Sequence, residues 1–240
     1  DRIHHPLCDN VANTRVAQWV TAVTSHLSAD QANGSLLSIS FRFGDNGEFA
    51  YISDAPSASV PYITDYSNAT LVDYRLYLSN RYNNNINTLN STYGTSYANF
   101  GQVPIPCPNN NCGTMTTGVS FDWNTATGRD WMRYRTKKLR TYYDLLHNAV
   151  KNGNSNSKSM FLFPATGLIQ AVSMQSHVNI RYIAQNADAS YSSEGGGIWA
   201  KNRKIACQDM RKGTFPAQNT MMEIDINNLG WTGSGYTHPQ

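Results

Sequence analysis

Short apolar runs alternate with longer amphipathic stretches along this chain, and that alternation limits the fold more than any single motif does. Residues 9–28 set Val16, Trp19, Val20, Val23 and Leu27 on one face at the 3.6-residue period, with Asp9 or Asn10 placed to cap a helix. Gly34 breaks that pattern, and residues 35–44 then read as a buried strand ending in a glycine-bounded loop that carries Asp45, Asn46, Gly47 and Glu48. After a Ser/Pro-rich excursion over 53–64, Leu71, Tyr74, Leu78 and Tyr82 share one helical face, and a shorter turn follows through Ile86, Leu89 and Tyr93. Trp131, Met132, Leu139, Tyr142, Tyr143, Leu146, Ala149 and Val150 define the strongest amphipathic helix. Beyond it, strands are expected at 159–164, 187–192 and 220–226, with helices at 168–184 and 198–212. Strand, loop, helix, repeated, predicts parallel βαβ units in an α/β fold, with functional loops at the carboxyl ends of the strands. Glu48, Thr166, Glu194 and the end of the last strand would then share one face.

A chain of 240 residues suits one large domain over 1–240, with the Pro-, Asn-, Gly- and Cys-rich segment at about 94–120 as an insertion loop. The formal charge of +3 is small, and the Lys and Arg of 129–140 and 201–212 sit among apolar residues at helical spacing. They read as solvated helix faces, so no nucleic-acid role is expected. No apolar run reaches the length of a membrane helix, and residues 1–9 do not read as a signal peptide, so the chain is expected to begin after a processing or truncation point. Cys107 and Cys112 bracket a Pro-Asn-Asn-Asn turn that a disulfide would staple, leaving Cys8 and Cys207 as a second pair. No His lies near Cys107 or Cys112, so a disulfide is preferred to a metal site, and neither metal nor organic cofactor is expected. Asn33, Asn68 and Asn90 each head an Asn-X-Ser/Thr acceptor. Together with the cysteines they predict a secreted, extracellular protein.

Glu48 follows a strand in a Gly-Asp-Asn-Gly-Glu-Phe-Ala-Tyr context, where tight turns let the backbone approach a ligand. Phe49 and Tyr51 supply apolar surroundings that raise a carboxyl pKa toward that of a general acid. The alternative is an exposed loop acid. Glu223 lies in Met-Met-Glu-Ile-Asp, where an acid inside an apolar strand is costly unless paired or facing a polar barrel mouth; a solvent-facing strand position is its other reading. Glu194, beside three glycines, is either a site acid or an exposed turn. Trp123, Tyr191, Trp199 and Trp231 are candidates for stacking on sugar rings, with a core role as the alternative for each. Neither a Gly-X-Ser-X-Gly elbow nor a phosphate-binding glycine loop occurs.

Residues 38–51, SISFRFGDNGEFAY, resemble the strand-four segment of β-amylase-like and family-42 β-galactosidase-like barrels, in which a glutamate after the strand is the catalytic acid. Residues 89–95, LNSTYGT, are similar to the Leu-Asn-X-X-Trp-Gly-Thr corner of the family-42 type, with Tyr93 in place of the Trp. Residues 220–225, TMMEID, resemble the strand-seven segment that carries the second catalytic glutamate. The resemblance implies a (β/α) TIM-type barrel of the clan A kind, lacking its first three βα units in this chain. It implies a glycosidase with Glu48 as acid/base and Glu223 as nucleophile or base, and a carbohydrate substrate held by Asn46, Tyr51, Trp123, Tyr191, Glu194 and Trp199. Gly47 separates Asn46 from Glu48, closer to the amylase-like pattern, and leaves the stereochemical outcome open. A barrel short of three units would need other chains or a further segment to cover its open side. A non-catalytic, glycosylated structural or carbohydrate-binding protein on the same scaffold is the alternative.

Overall fold

The computed structural model describes residues 7–36, 38–41, 53–54, 62–63, 67–106, 124–163, 186–192 and 219–222. Helix α1, Asn10–His26, starts because the Asp9 carboxylate accepts the N–H groups of Val11 and Ala12 at 2.9 and 3.0 Å. It buries Val20 and Thr24 and half-buries Val16 and Ala17, but Trp19 is 67% exposed. The stripe differs from the expected one because α1 crosses a later helix through small residues. Thr21 Oγ1 donates to the Ala149 carbonyl and Ser25 Oγ to the Gly153 carbonyl, and a Cβ at Gly153 would stand 2.5 Å from the Thr21 carbonyl oxygen. So close a crossing leaves no room for an indole.

A short helix α2, Ser28–Ala32, follows, and Gly34 takes a left-handed φ of 81°. Asn33 Oδ1 holds the Ser35 N–H, so the strand begins at Ile39, later than the apolar run suggests. The strands are β1 (Ile39–Phe41), the hairpin pair β2 (Ser53–Asp54) and β3 (Tyr62–Ile63), then β4 (Ser159–Phe163), β5 (Ala189–Ser192) and β6 (Asn219–Met222). The pair lies inside the Ser/Pro-rich excursion at 53–64. β1, β4, β5 and β6 form one sheet in that order, every neighbouring pair parallel, with Phe41 beside Phe161 and Ser192 beside Met222. The expected helices at 168–184 and 198–212 lie outside the described residues.

Between β1 and β4 the described residues include three α-helices. α3 is Asn68–Arg81, capped by Ser67; α4 is Ile86–Tyr93, capped by Asn85 and ended by Gly94 at a left-handed φ of 69°. α5, Ala126–Gly153, is capped by Thr125 Oγ1 on the Gly128 N–H. Its 28 residues give it a length of about 42 Å. Among the described residues no helix is long and apolar enough to cross a membrane.

α5 serves two apolar cores. Its carboxyl half places Leu139, Tyr142, Tyr143, Leu146, Ala149 and Val150 against Val20 of α1 and Phe41 of β1. Its amino half places Trp131 and Tyr134 against Tyr74 and Leu78 of α3, Leu89 of α4, and Val103 and Ile105. The start of the expected insertion loop is therefore part of a core: it carries a 3-10 turn at Phe100–Gln102, and Asn90 clasps it by donating to the Tyr97 carbonyl and accepting from the Tyr97 N–H.

Inside the second core sits one carboxylate. Asp130 accepts from Tyr82 Oη at 2.6 Å, Tyr93 Oη at 3.1 Å, Arg81 Nε at 2.8 Å and Arg133 Nη1 at 3.1 Å, and its side chain is almost wholly buried. Burial pushes both phenols above the usual tyrosine range, so they remain donors. Removing an acceptor shared by two half-buried phenols and two partly exposed guanidinium groups leaves the phenols unpaired. Asp130→Ala is expected to lower unfolding stability by about 3 kcal/mol, read as a fall in the urea midpoint, while Arg133→Ala, on the exposed side of the cluster, costs about 1 kcal/mol or less.

Candidate active site

The orientation of α5 decides which end of the sheet is free for chemistry. Tyr143 Oη lies 3.2 Å and His147 Nδ1 2.7 Å from Ser159 Oγ, and Lys151 Nζ donates to the Ser157 carbonyl at 2.7 Å. The last turns of α5 are thereby level with the first residue of β4. Running back from Tyr143, the helix covers about 26 Å to Ala126, whereas β4 rises only about 13 Å from Ser159 to Phe163. The first turns of α5, with Asp130 and Trp131, therefore project beyond the carboxyl edge of the sheet. The second core is built on that projection, so α3, α4 and residues 95–106 stand beside that edge.

In this sheet Phe41, Phe163, Ser192 and Met222 close the strands at the carboxyl edge. Glu223 is the residue after Met222, Glu194 is two after Ser192, and the loop sequence with Asn46 and Glu48 comes after Phe41. Glu48, Glu194, Glu223, Asn46, Tyr51, Trp123 and Trp199 lie outside the described residues, as do Trp231, Cys107, Cys112 and Cys207. Tyr191 is in β5, its Cα opposite those of Leu162 and Met221. The topology brings together the strand ends that lead to the candidate acids.

The opposite edge is occupied by a polar cluster that the sequence reading did not single out. Asp188 accepts from the Ser159 N–H at 2.8 Å and pairs with Lys151 Nζ at 2.9 Å, with His147 Nδ1 3.9 Å away. Partial burial pushes its carboxyl up, but the Ser159 N–H and the Lys151 ammonium outweigh this and hold it below the usual carboxylate range. Ser159, His147 and Asp188 are not a nucleophilic triad. The carboxylate reaches the serine directly, 3.4 Å from its Oγ, and lies on the same imidazole nitrogen as the serine, where a triad needs opposite nitrogens. Ser159 is also fully buried. At the amino edge of parallel strands such a cluster fastens the helix to the sheet. Its one signal in the sequence is an Asp at the second position of the strand expected at 187–192.

Cys8, offered by the sequence as a partner for Cys207, is a free thiol here. Its sulfur lies 3.5 Å from Tyr134 Oη and 3.8 Å from Thr70 Oγ1, so it tucks against α3 and α5, while Cys207 lies outside the described residues. Burial pushes this thiol above the usual range, which disfavours the reactive thiolate. Of the glycosylation candidates, Asn33 and Asn68 are exposed, while Asn90 has both ends of its amide engaged by residues 95–97.

A sheet of parallel strands in chain order, with a helix antiparallel to the strands packed on it, is a parallel α/β arrangement, the order that consecutive βα units of a barrel also take. The sequence model of the Glyco_hydro_42 family, described as beta-galactosidase, matches residues 42–213, most of the chain, and the chain belongs to that family. The matched span includes Glu48 and stops short of Glu223. Among solved structures it is similar to the exo-carrageenase of Bacteroides ovatus, with a TM-score of 0.62 and 14% identity over 90% of this chain and 29% of that one. The beta-galactosidase of Bacillus circulans sp. alkalophilus gives a TM-score of 0.59 at 9% identity, over 87% of this chain and 27% of that one. The catalytic domain of a beta-amylase from Paenibacillus polymyxa gives 0.58 at 13% identity, over 89% of this chain and 63% of that one. These likenesses show a shared glycosidase-barrel fold, of which the chain spans a part: it covers about a quarter of the length of the beta-galactosidases it matches. No curated protein sequence matches it.

The Asp188 cluster sets an acid limit on stability. With its folded pKa depressed, Asp188 contributes fully above its unfolded value near 4, and the contribution fades as the pH falls through the lower folded value. Asp188→Asn is expected to cost about 1 kcal/mol at pH 7, discounted for the partial exposure of the pair. The gap between variant and parent should close between about pH 4 and pH 2 in thermal unfolding monitored by circular dichroism.

Proposed function

We propose that this chain carries the catalytic edge of an extracellular glycoside hydrolase that cleaves O-glycosidic bonds in an oligo- or polysaccharide, with Glu48 as general acid/base and Glu223 as nucleophile or base. The observation that supports this most is the order of the parallel sheet. β1 and β6, which lead to the two glutamates, are three strand steps apart, about 14 Å along the sheet and less across a curved one. Carboxylates carried by the segments that follow strand ends at that separation can be brought within the span over which a carboxyl pair grips one bond. The acid protonates the leaving oxygen as the bond to the anomeric carbon breaks; the second carboxylate attacks that carbon or activates water.

Among the described residues β1 and β6 are each paired on one side only, and a parallel sheet is stable when such edges are covered. In the proposal, further βα units complete the barrel beside them. The family description and the relatives' names point to β-galactosides and carrageenan as the first substrates to try. Asn46, Tyr51, Trp123, Tyr191, Glu194 and Trp199 line the sugar path in this reading. A secretory route is supported by the exposed Asn33 and Asn68 acceptors and by the Cys107–Cys112 spacing.

Steady-state hydrolysis of an aryl β-galactoside tests the assignment. Glu48→Gln and Glu223→Gln should each lower kcat by about a thousandfold or more, with unfolding midpoints within about 1 kcal/mol of the parent. Unchanged turnover in either variant removes that residue from the chemistry. A parent protein that binds galactosides without hydrolysing them would replace this reading by the carbohydrate-binding one.

A further inference from the structure

Lys137 and Thr141 lie on the side of α5 opposite Leu139, Tyr143 and Leu146, which face the sheet. There, between α3 and α5, runs an open groove of about 440 Å³, a volume ordinary for small-molecule sites. Its lining includes Asp73, Tyr77, Asn80, Arg81, Lys137 and Lys138. Tyr77 is held firmly: its ring stacks on Tyr74 at 6.3 Å and tilts against Tyr134 at 5.5 Å. Arg81 is fixed from behind by Asp130. Lys137 is exposed, with its ammonium 5.8 Å from the centre of the Tyr77 ring.

We propose that this groove is a second binding site, for an acidic oligosaccharide whose charge is a carboxylate or a sulfate. Two features select that chemistry. The Tyr77 ring, next to the Asn80 amide and the Thr141 hydroxyl, offers the mixed apolar and polar surface that a pyranose presents in return. The charges are mixed as well: Lys138 and Asp73 form a 2.9 Å pair in the lining, giving an acceptor beside a donor. A sugar uses both, donating hydroxyls to Asp73 while its acid group meets Lys137 and the Arg81 guanidinium. A phosphodiester backbone or a sulfate ion has no hydrogen to give Asp73, whereas a sugar acid carries hydroxyl donors beside its charge. The preference for a sugar acid over other polyol acids rests on the glycosidase reading; the groove itself does not.

Calorimetric titration of the protein with trigalacturonate, a sulfated galactotriose, neutral galactotriose, inorganic sulfate and a trinucleotide tests the site. One of the acidic trisaccharides should bind at least about tenfold more tightly than the neutral one, and which of them does so identifies the acid group. Lys137→Ala, at an exposed position, should weaken that binding about tenfold with no change in thermal midpoint, and Tyr77→Leu should weaken it too. Turnover of the small aryl galactoside should not change in Lys137→Ala. Equal affinity for acidic and neutral sugars, binding of sulfate or trinucleotide as tight as of the sugar acid, or no effect of Lys137→Ala overturns the proposal. Titrations repeated in Glu48→Gln separate the two readings: a site that persists there without hydrolysis, in a protein whose parent is also inactive, leaves the groove standing and sinks the catalytic assignment alone.

Discussion

Everything in this structure is referred to one helix whose height against the sheet is fixed by buried hydrogen bonds. Ser159 opens β4, and its hydroxyl meets Tyr143 and His147 from α5 while its N–H is taken by Asp188 ahead of β5. Those contacts stop the helix from sliding by a turn, a displacement of about 5.4 Å that apolar packing alone would resist only weakly. Since α5 is far longer than the strand it accompanies, fixing its carboxyl half at the amino edge forces its amino half past the other edge. The second core exists because that overhang has apolar surface to bury: Trp131 and Tyr134 would otherwise face water.

Two carboxylates, Asp188 and Asp130, divide the labour between the edges. Asp188 joins helix to strand at the amino edge through backbone and ammonium donors. Asp130 joins helix to helix at the carboxyl edge through two phenols and two guanidinium groups. Neither charge is cheap to bury, and neither would persist without its donors. What they supply is direction, since an apolar contact between α4 and α5 tolerates rotation, whereas Tyr82 and Tyr93 both aimed at one oxygen do not.

The sequence made the helical faces of α3, α4 and α5 legible because their apolar spacing is set by burial in one layer, and the structure buries Tyr74, Leu78, Leu89 and Leu139 on them. It misplaced Trp19 because a periodic pattern cannot show that a crossing is made by Thr21, Ser25 and Gly153 at backbone distance. The strand start at Ile39 was hidden for a similar reason: an Asn side chain took the Ser35 N–H that a ladder would have used. The carboxyl edge was readable as an expectation of parallel βα order, and β4, β5 and β6 fall where the apolar runs placed them. Asp130 and Asp188 were not singled out, because a buried acid inside an amphipathic helix or before a strand looks, in sequence, like an acid on its solvent side.

The segment from α3 to Ile105 is tied to itself, Arg75 to the Val103 carbonyl and Asn90 to Tyr97, and to α5, Asp73 to Lys138 and through the Asp130 cluster. That makes the wall beside the carboxyl edge a packed body with its own core. Catalysis on a polymeric substrate depends on holding the reacting ring to within a fraction of an ångström, and loops alone do so poorly. A wall built on the overhanging end of the helix that also anchors the sheet moves with the sheet. In the proposed reading it would hold sugar units outside the reacting bond in a fixed relation to the strand ends, a use for the length of α5 beyond what its strand demands.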